Sequence, residues 1–204
     1  MSRVRIKICG VTHEEHIRAA AESGAHLVGL VVWPGSPRAV TVDRARELAE
    51  TARKAGLETV ALTVDGNEPL IAALTFVDRI QCHGNEVCDD LRRIPQPTIK
   101  GFPFTTDALR AWGACPHAEW LLVDSARGGS GIAFDHAVLA PLLATCSKPV
   151  LLAGGLNAET VASAIATVRP FGVDVSSGVE RTRGVKDPEL IRLFCRAITS
   201  SFEA

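Results

Sequence analysis

The sequence carries almost no net charge: 22 basic residues against 23 acidic give -1. That removes the electrostatic case for nucleic acid or an anionic membrane as a partner, and no block of like charge marks a tail. Long apolar runs are also missing. No stretch reaches the ~20 residues needed to span a bilayer, and Met1-Ser2-Arg3-Val4-Arg5-Ile6-Lys7 lacks the apolar region of a signal peptide. Together these predict a cytoplasmic protein. None of the six cysteines (Cys9, Cys82, Cys88, Cys115, Cys146, Cys195) forms a CxxC pair, so in a reducing compartment all are expected as free thiols. Cys82, His83 and Cys88 fit no common zinc spacing, and no metal is expected. A GxGxxG after the first strand, the mark of a dinucleotide-binding open sheet, is absent too. Gly10-Val11-Thr12 stands in its place.

What is present is a regular alternation. Near-continuous apolar, β-branched runs occur at Val4–Cys9, Leu27–Val32, Thr59–Val64, Val77–Gln81, Thr98–Gly101, Trp120–Asp124, Val150–Ala153 and Val173–Ser176. Such runs suit strands covered on both faces. Between them lie amphipathic segments with helix signals. Thr12 reads as the N-cap of a helix to Ser23, with Glu15 three residues on as in a capping box. Further helices are expected over Asp43–Lys54, Asn157–Val168 and Asp187–Ser200, the last with Pro188 in its first turn. Thr105–Trp112 is followed by Gly113 and Pro116, so the fifth helix is expected to be short or irregular. Eight strand–helix units in 204 residues predict a single-domain α/β chain, 1–204, folded as a minimal (β/α)8 TIM barrel. A doubly wound sheet is the rival architecture.

Barrel enzymes place their chemistry at the C-terminal ends of the strands. Cys9 ends strand 1 and Asp124 ends strand 6. Arg38 sits in the loop after strand 2, His83 follows strand 4, and Gly154-Gly155 and Ser176-Ser177-Gly178 end strands 7 and 8. Glycines let backbone amides approach a phosphate and serines add donors, in the loops that recurrently bind phosphate in such barrels. A carboxyl group at the rim, such as Asp124, can have its pKa raised by desolvation and act as a general acid. The plainer alternative is a capping aspartate, or one paired with Arg127. Cys9 alone reads as a small buried hydrophobe. As a thiolate it could take a proton if a neighbour lowered its pKa, and Lys7, two residues back, shares its side of the strand. Arg38, on a loop stiffened by Pro34 and Pro37, offers a planar fork for a carboxylate. His83 suits a supporting hydrogen bond. Trp33 is expected near the ligand, and Gly128-Gly129-Ser130-Gly131 is expected to close over it.

In order and spacing, Lys7-Ile8-Cys9-Gly10-Val11-Thr12, Gly35-Ser36-Pro37-Arg38, Gln81-Cys82-His83-Gly84, Leu122-Val123-Asp124, Gly128-Gly129-Ser130-Gly131 with Phe134-Asp135, Leu152-Ala153-Gly154-Gly155-Leu156 and Asp174-Val175-Ser176-Ser177-Gly178-Val179-Glu180 resemble phosphoribosylanthranilate isomerases. The resemblance implies an Amadori rearrangement in tryptophan biosynthesis, on a phosphorylated small-molecule substrate and without a cofactor. By the same resemblance Asp124 is the general acid and Cys9 the general base. Arg38 holds the anthranilate carboxylate, and Gly154, Gly155, Asp174, Ser176 and Ser177 form the phosphate region; beside these, the residues themselves make Lys7 and His83 further substrate-binding candidates. Departures from the family pattern stand at Trp33, Thr63, Cys82 and His136. Other readings are a different phosphate-binding barrel enzyme, such as a sugar-phosphate isomerase or epimerase, or a non-catalytic barrel that binds a phosphorylated ligand. The chain could be a monomer or a homodimer.

Overall fold

The computed structural model describes residues 4–125 and 136–200. Arg127, the Gly128–Gly131 loop and Phe134-Asp135 lie outside the described residues, and the expectations placed on them lie there too. Eight parallel strands close a barrel in chain order: β1 (Arg5–Cys9), β2 (Leu27–Val31), β3 (Glu58–Thr63), β4 (Arg79–Cys82), β5 (Thr98–Pro103), β6 (Trp120–Asp124), β7 (Val150–Leu152) and β8 (Gly172–Val175). Each falls within two residues of a run read from the sequence. Closure is made by β1, which pairs with β2 on one side and with β8 on the other, placing Lys7 opposite Asp174.

Alternation along the strands separates two apolar regions. Ile6 and Ile8 of β1 face outward into the layer between sheet and helices. Leu27, Val60, Ile99, Trp120, Leu122, Leu151 and Ala153 fill the barrel itself. This period of two is what turns Lys7 and Cys9, flanking Ile8, to the inside. The barrel floor is closed by Trp120. The Arg79 guanidinium lies 3.7 Å from its ring centroid, and Phe171 meets it edge-on at 4.9 Å. Glu58 pairs with both Arg5 and Arg79, and Glu119 takes a second arm of Arg79 at 2.9 Å. Trp120→Ala is expected to destabilise the protein by about 3–5 kcal/mol, through lost burial and the cavity left behind. Urea denaturation measures this, and a loss under about 1 kcal/mol would show that the floor collapses to fill the space.

The helices are α1 (Glu14–Glu22), α2 (Val42–Lys54), α3 (Glu68–Ala73), α4 (Cys88–Leu91), α5 (Thr106–Ala114), α6 (His136–Leu143), α7 (Val161–Val168) and α8 (Pro188–Ser200). Several starts differ from expectation. Thr12 does not cap α1; His13 stands at that position, and its side chain makes no capping bond to the helix. Thr41 caps α2, its hydroxyl accepting from the Arg44 amide at 3.2 Å. Asn157 caps a separate turn, accepting from the amides of Glu159 and Thr160, so α7 begins four residues later than read. The fifth helix is neither truncated nor irregular. It runs for nine residues from a Thr105 cap and carries Gly113 within its last turn. The four-residue α4 is shorter.

Two features were absent from the sequence reading. After β8 the chain makes a short antiparallel hairpin, β9 (Glu180–Thr182) and β10 (Val185–Lys186). Cys88 and Cys115 form a disulfide, with Cα atoms 5.8 Å apart, which corrects the expectation of six free thiols. The bond joins the start of α4 to the residue after α5, two helices brought together by flanking β5. Cys9, Cys82, Cys146 and Cys195 remain free. No described helix is long and apolar enough to cross a membrane.

Candidate active site

The barrel mouth collects the strand ends that the sequence singled out. Cys9, the last residue of β1, is buried beside Gly29 of β2, where an added Cβ would lie 2.8 Å from its Sγ. Gly29 therefore makes the room that the thiol occupies. Below it, Lys7 is fully buried and donates to Asp174 Oδ1 at 2.7 Å, the cross-strand pair set by the β1–β8 register. Burial works against the Lys7 ammonium, but Asp174 and then Cys9 outweigh it and hold its pKa above the ordinary lysine value. For Cys9 the balance falls the other way. Burial pushes the thiol up, with a further push from Asp174, and the pull of Lys7 and Lys186 does not cancel it. The condition set for a thiolate, a neighbour that lowers the Cys9 pKa, is met in direction only: Lys7 opposes the rise, and desolvation wins.

Asp124 ends β6 with its carboxyl 13% exposed. Oδ1 accepts the Ser125 amide at 2.7 Å. Oδ2 lies 3.6 Å from His83 Nε2. Burial raises the Asp124 pKa above the usual carboxylate value, against the lowering effect of His83 and the Ser125 amide. Burial lowers the pKa of His83 in turn, so near neutral pH the imidazole is uncharged. Its Nδ1 meets the Gln81 amide nitrogen at 3.0 Å, which leaves the proton on Nε2 facing Asp124. Gly101 provides the space for that ring, since a Cβ there would stand 2.4 Å from Nδ1.

Arg38 already holds a carboxylate, one belonging to the chain. Its Nε donates to Glu180 Oε1 at 2.5 Å and its Nη2 to Oε2 at 2.9 Å, a two-point pairing. Its stem lies on Gly10, next to Cys9; a Cβ on Gly10 would sit 2.6 Å from Arg38 Cδ. Glu180 accepts further bonds from Lys186 Nζ at 2.7 Å and the Gly184 amide at 3.0 Å. These bonds outweigh its burial and hold the carboxyl down at about 2. Neither Glu180 nor Lys186 was assigned a role from sequence. Glu180 was quoted only as the end of a motif, and Lys186 before Asp187-Pro188 reads as an ordinary surface lysine ahead of a helix.

At the other rim, Gly154 and Gly155 take φ of +89° and +74°, a region that favours glycine. No other described residue accepts a hydrogen bond from either amide. A Cβ on Gly178 would strike the Leu156 carbonyl at 1.9 Å, so the loops after β7 and β8 are in direct contact. Ser176 and Ser177 open the second of these loops, directly beyond β8. The expected acid, base and anion-binding groups are therefore gathered at one mouth. Trp33 lies at the same end, 41% exposed, with its ring against Gly35. A cavity of about 510 Å³ lies elsewhere, off the axis, lined by Thr63, Ile71, Cys82, Glu86 and Leu91. Neither Cys9 nor Asp124 lines it.

Comparison with known proteins identifies relatives of the chain. The family model described as N-(5'-phosphoribosyl)anthranilate (PRA) isomerase matches residues 6–197. The N-(5'-phosphoribosyl)anthranilate isomerase of Chromohalobacter salexigens is 43% identical, over 98% of this chain and 96% of its own. The crystal structure of phosphoribosyl anthranilate isomerase from Thermus thermophilus superposes with a TM-score of 0.87 at 34% identity, covering 97% of this chain and 99% of that one. A phosphoribosyl anthranilate isomerase in complex with reduced 1-(o-carboxyphenylamino)-1-deoxyribulose 5-phosphate gives 0.84 at 32% identity, covering 97% and 99%.

Proposed function

Because the chain belongs to the N-(5'-phosphoribosyl)anthranilate isomerase family, we propose that Asp124 is the general acid and Cys9 the general base of its reaction. That reaction converts N-(5-phosphoribosyl)anthranilate to 1-(2-carboxyphenylamino)-1-deoxyribulose 5-phosphate, a step of tryptophan biosynthesis. The observation that carries the assignment is the pairing at one mouth of a buried carboxyl group, whose pKa burial raises, and a buried thiol under the pull of two buried ammonium groups. We read the whole chain, 1–204, as one catalytic domain, placed in the cytoplasm.

In the first step Asp124 gives its proton to the furanose ring oxygen. The C1–O bond breaks, the anilino nitrogen supplies the electron pair, and a protonated Schiff base forms. In the second, the Cys9 thiolate removes the C2 proton, and the C2–H electrons flow to the nitrogen to give the enolamine. Tautomerisation to the ketone then restores thiolate and carboxylic acid. Asp124 needs a raised pKa to hold its proton, and burial supplies it. Lys7 and Lys186 favour the thiolate of Cys9. Arg38 is the group for the anthranilate carboxylate. The Gly154 and Gly155 amides with Ser176 and Ser177 bind the phosphate, Asp174 fixes Lys7, and His83 supports Asp124.

The test is loss of anthranilate-type fluorescence from freshly generated phosphoribosylanthranilate. Wild type should turn over rapidly. Arg38→Ala should raise KM by about tenfold to hundredfold, the worth of a hydrogen bond to a charged group. A folded wild type that leaves the fluorescence unchanged would end the assignment of these roles.

A further inference from the structure

Lys186 is a buried lysine at the mouth whose part in the reaction scheme so far is only its electrostatic pull on Cys9. Its side chain is fully buried at the end of the short β9–β10 hairpin. The ammonium uses its three protons on three acceptors: the Ser176 carbonyl at 2.8 Å, Ser176 Oγ at 3.1 Å and Glu180 Oε1 at 2.7 Å. Those acceptors converge on one nitrogen and lead to the two anion-binding groups assigned above. Ser176 stands at the phosphate end, and Glu180 clamps Arg38 at the carboxylate end.

Stability alone does not account for this arrangement. A buried ion pair can commonly be replaced by apolar side chains of similar volume at no cost, or with a gain. What the apolar version could not do is orient both ends. Because the ammonium donates to Ser176 Oγ, that hydroxyl must aim its own proton elsewhere, toward an incoming anion. Because Glu180 is held by Lys186 and by the Gly184 amide, its two oxygens are fixed for Arg38. Charge matters as well. Arg38 and Glu180 by themselves are neutral in sum, so an approaching carboxylate would meet a satisfied pair. With Lys186 the group keeps one net positive charge.

We propose that Lys186 is a positioning residue that ties the two anion-binding ends of the site together, orienting Ser176 for the phosphate and, through Glu180, Arg38 for the anthranilate carboxylate. The inference rests on the roles given above to Arg38 and Ser176. It adds a cross-tie that sets the spacing between two substrate anions, and so selects ligands that carry both.

The experiment measures binding of three probes by calorimetry. One is reduced 1-(o-carboxyphenylamino)-1-deoxyribulose 5-phosphate; the others are the same molecule without its carboxyl group and without its phosphate. In wild type each deletion should weaken binding by about tenfold to hundredfold. In Lys186→Met both penalties should shrink to about threefold or less, since the ends that read those groups are no longer held. If Lys186 served only the fold, all three probes would weaken together and both penalties would stay at their wild-type size, which would overturn the inference. Arg38→Ala separates this from failure of the underlying reading. Should that variant keep the whole carboxylate penalty, the assignment of Arg38 falls and the inference with it. Should it lose the penalty while Lys186→Met keeps both, the inference alone falls. The double variant Lys186→Met/Glu180→Leu removes the buried pair together and so guards against misfolding of a half-broken one. It too must lose both penalties; keeping them would count against the cross-tie.

Discussion

Asp124→Asn should lower kcat/KM by about 10²–10⁴-fold, the usual worth of a positioned proton donor. The amide has the shape of the carboxyl group and can still accept the Ser125 amide bond that Asp124 Oδ1 takes at 2.7 Å. What it cannot do is give up a proton to the ring oxygen. Binding of the reduced product analogue should therefore change little while turnover collapses. If the variant kept more than about a tenth of wild-type activity, another group would have to be the acid, and His83 would be the first to examine. His83 is a titratable neighbour, 3.6 Å away, yet its pKa is lowered by burial, which makes it a poor proton donor near neutral pH.

Cys9→Ser is expected to cost a similar factor, about 10²–10⁴-fold, and also to change the shape of the pH profile. Active enzyme needs the thiolate and the carboxylic acid at once. The Asp124 pKa is raised by burial but stays that of a carboxyl group, and the Cys9 pKa is raised above 9.0. Between the two values, each step up in pH gains thiolate and loses carboxylic acid in the same proportion. The active fraction is therefore small and flat. Below the Asp124 pKa the acid is already fully protonated, so further acidification only removes thiolate and the rate falls. Above the Cys9 pKa the thiolate is complete, so rising pH only removes the acid and the rate falls again. Wild type should show a broad plateau in kcat/KM with an acid limb set by Asp124 and an alkaline limb set by Cys9. Serine scarcely ionises in this range, so in Cys9→Ser the alkaline limb should vanish while the acid limb stays. An alkaline limb unmoved in Cys9→Ser would assign it to some other group and remove the case for a thiolate base.

The barrel was legible because strands buried on both faces write themselves as apolar runs, and eight of those with helical segments between them leave few alternatives. The inward direction of Lys7 and Cys9 followed from the period of two. The sign of the Cys9 shift did not, because sequence shows that a lysine is near but not that water is excluded. The fifth helix was misread because Gly113 and Pro116 look like breakers, whereas Gly113 falls in the last turn, where a helix tolerates it. A hairpin of three plus two residues is too short to show any period. Lys186 was invisible for the same reason, since nothing in its neighbours marks it as buried. The Cys88–Cys115 bond spans 27 residues, and only the packing of α4 and α5 around β5 brings its ends together.

The pairing of Lys7 with Asp174 also bears on when in its life the protein becomes competent. The two residues are 167 positions apart, so at ordinary synthesis rates the lysine leaves the ribosome roughly 10–30 s before its counter-charge. Until β8 arrives, Lys7 has no carboxylate to meet inside the barrel, and a half-made chain gains nothing by burying it. The seam between the first and last strands is thus the step at which the sheet closes, the ammonium goes under and Cys9 acquires its electrostatic setting. The Lys7 pairing comes only with β8, and a nascent product that stops short of it lacks the carboxylate that this ammonium meets.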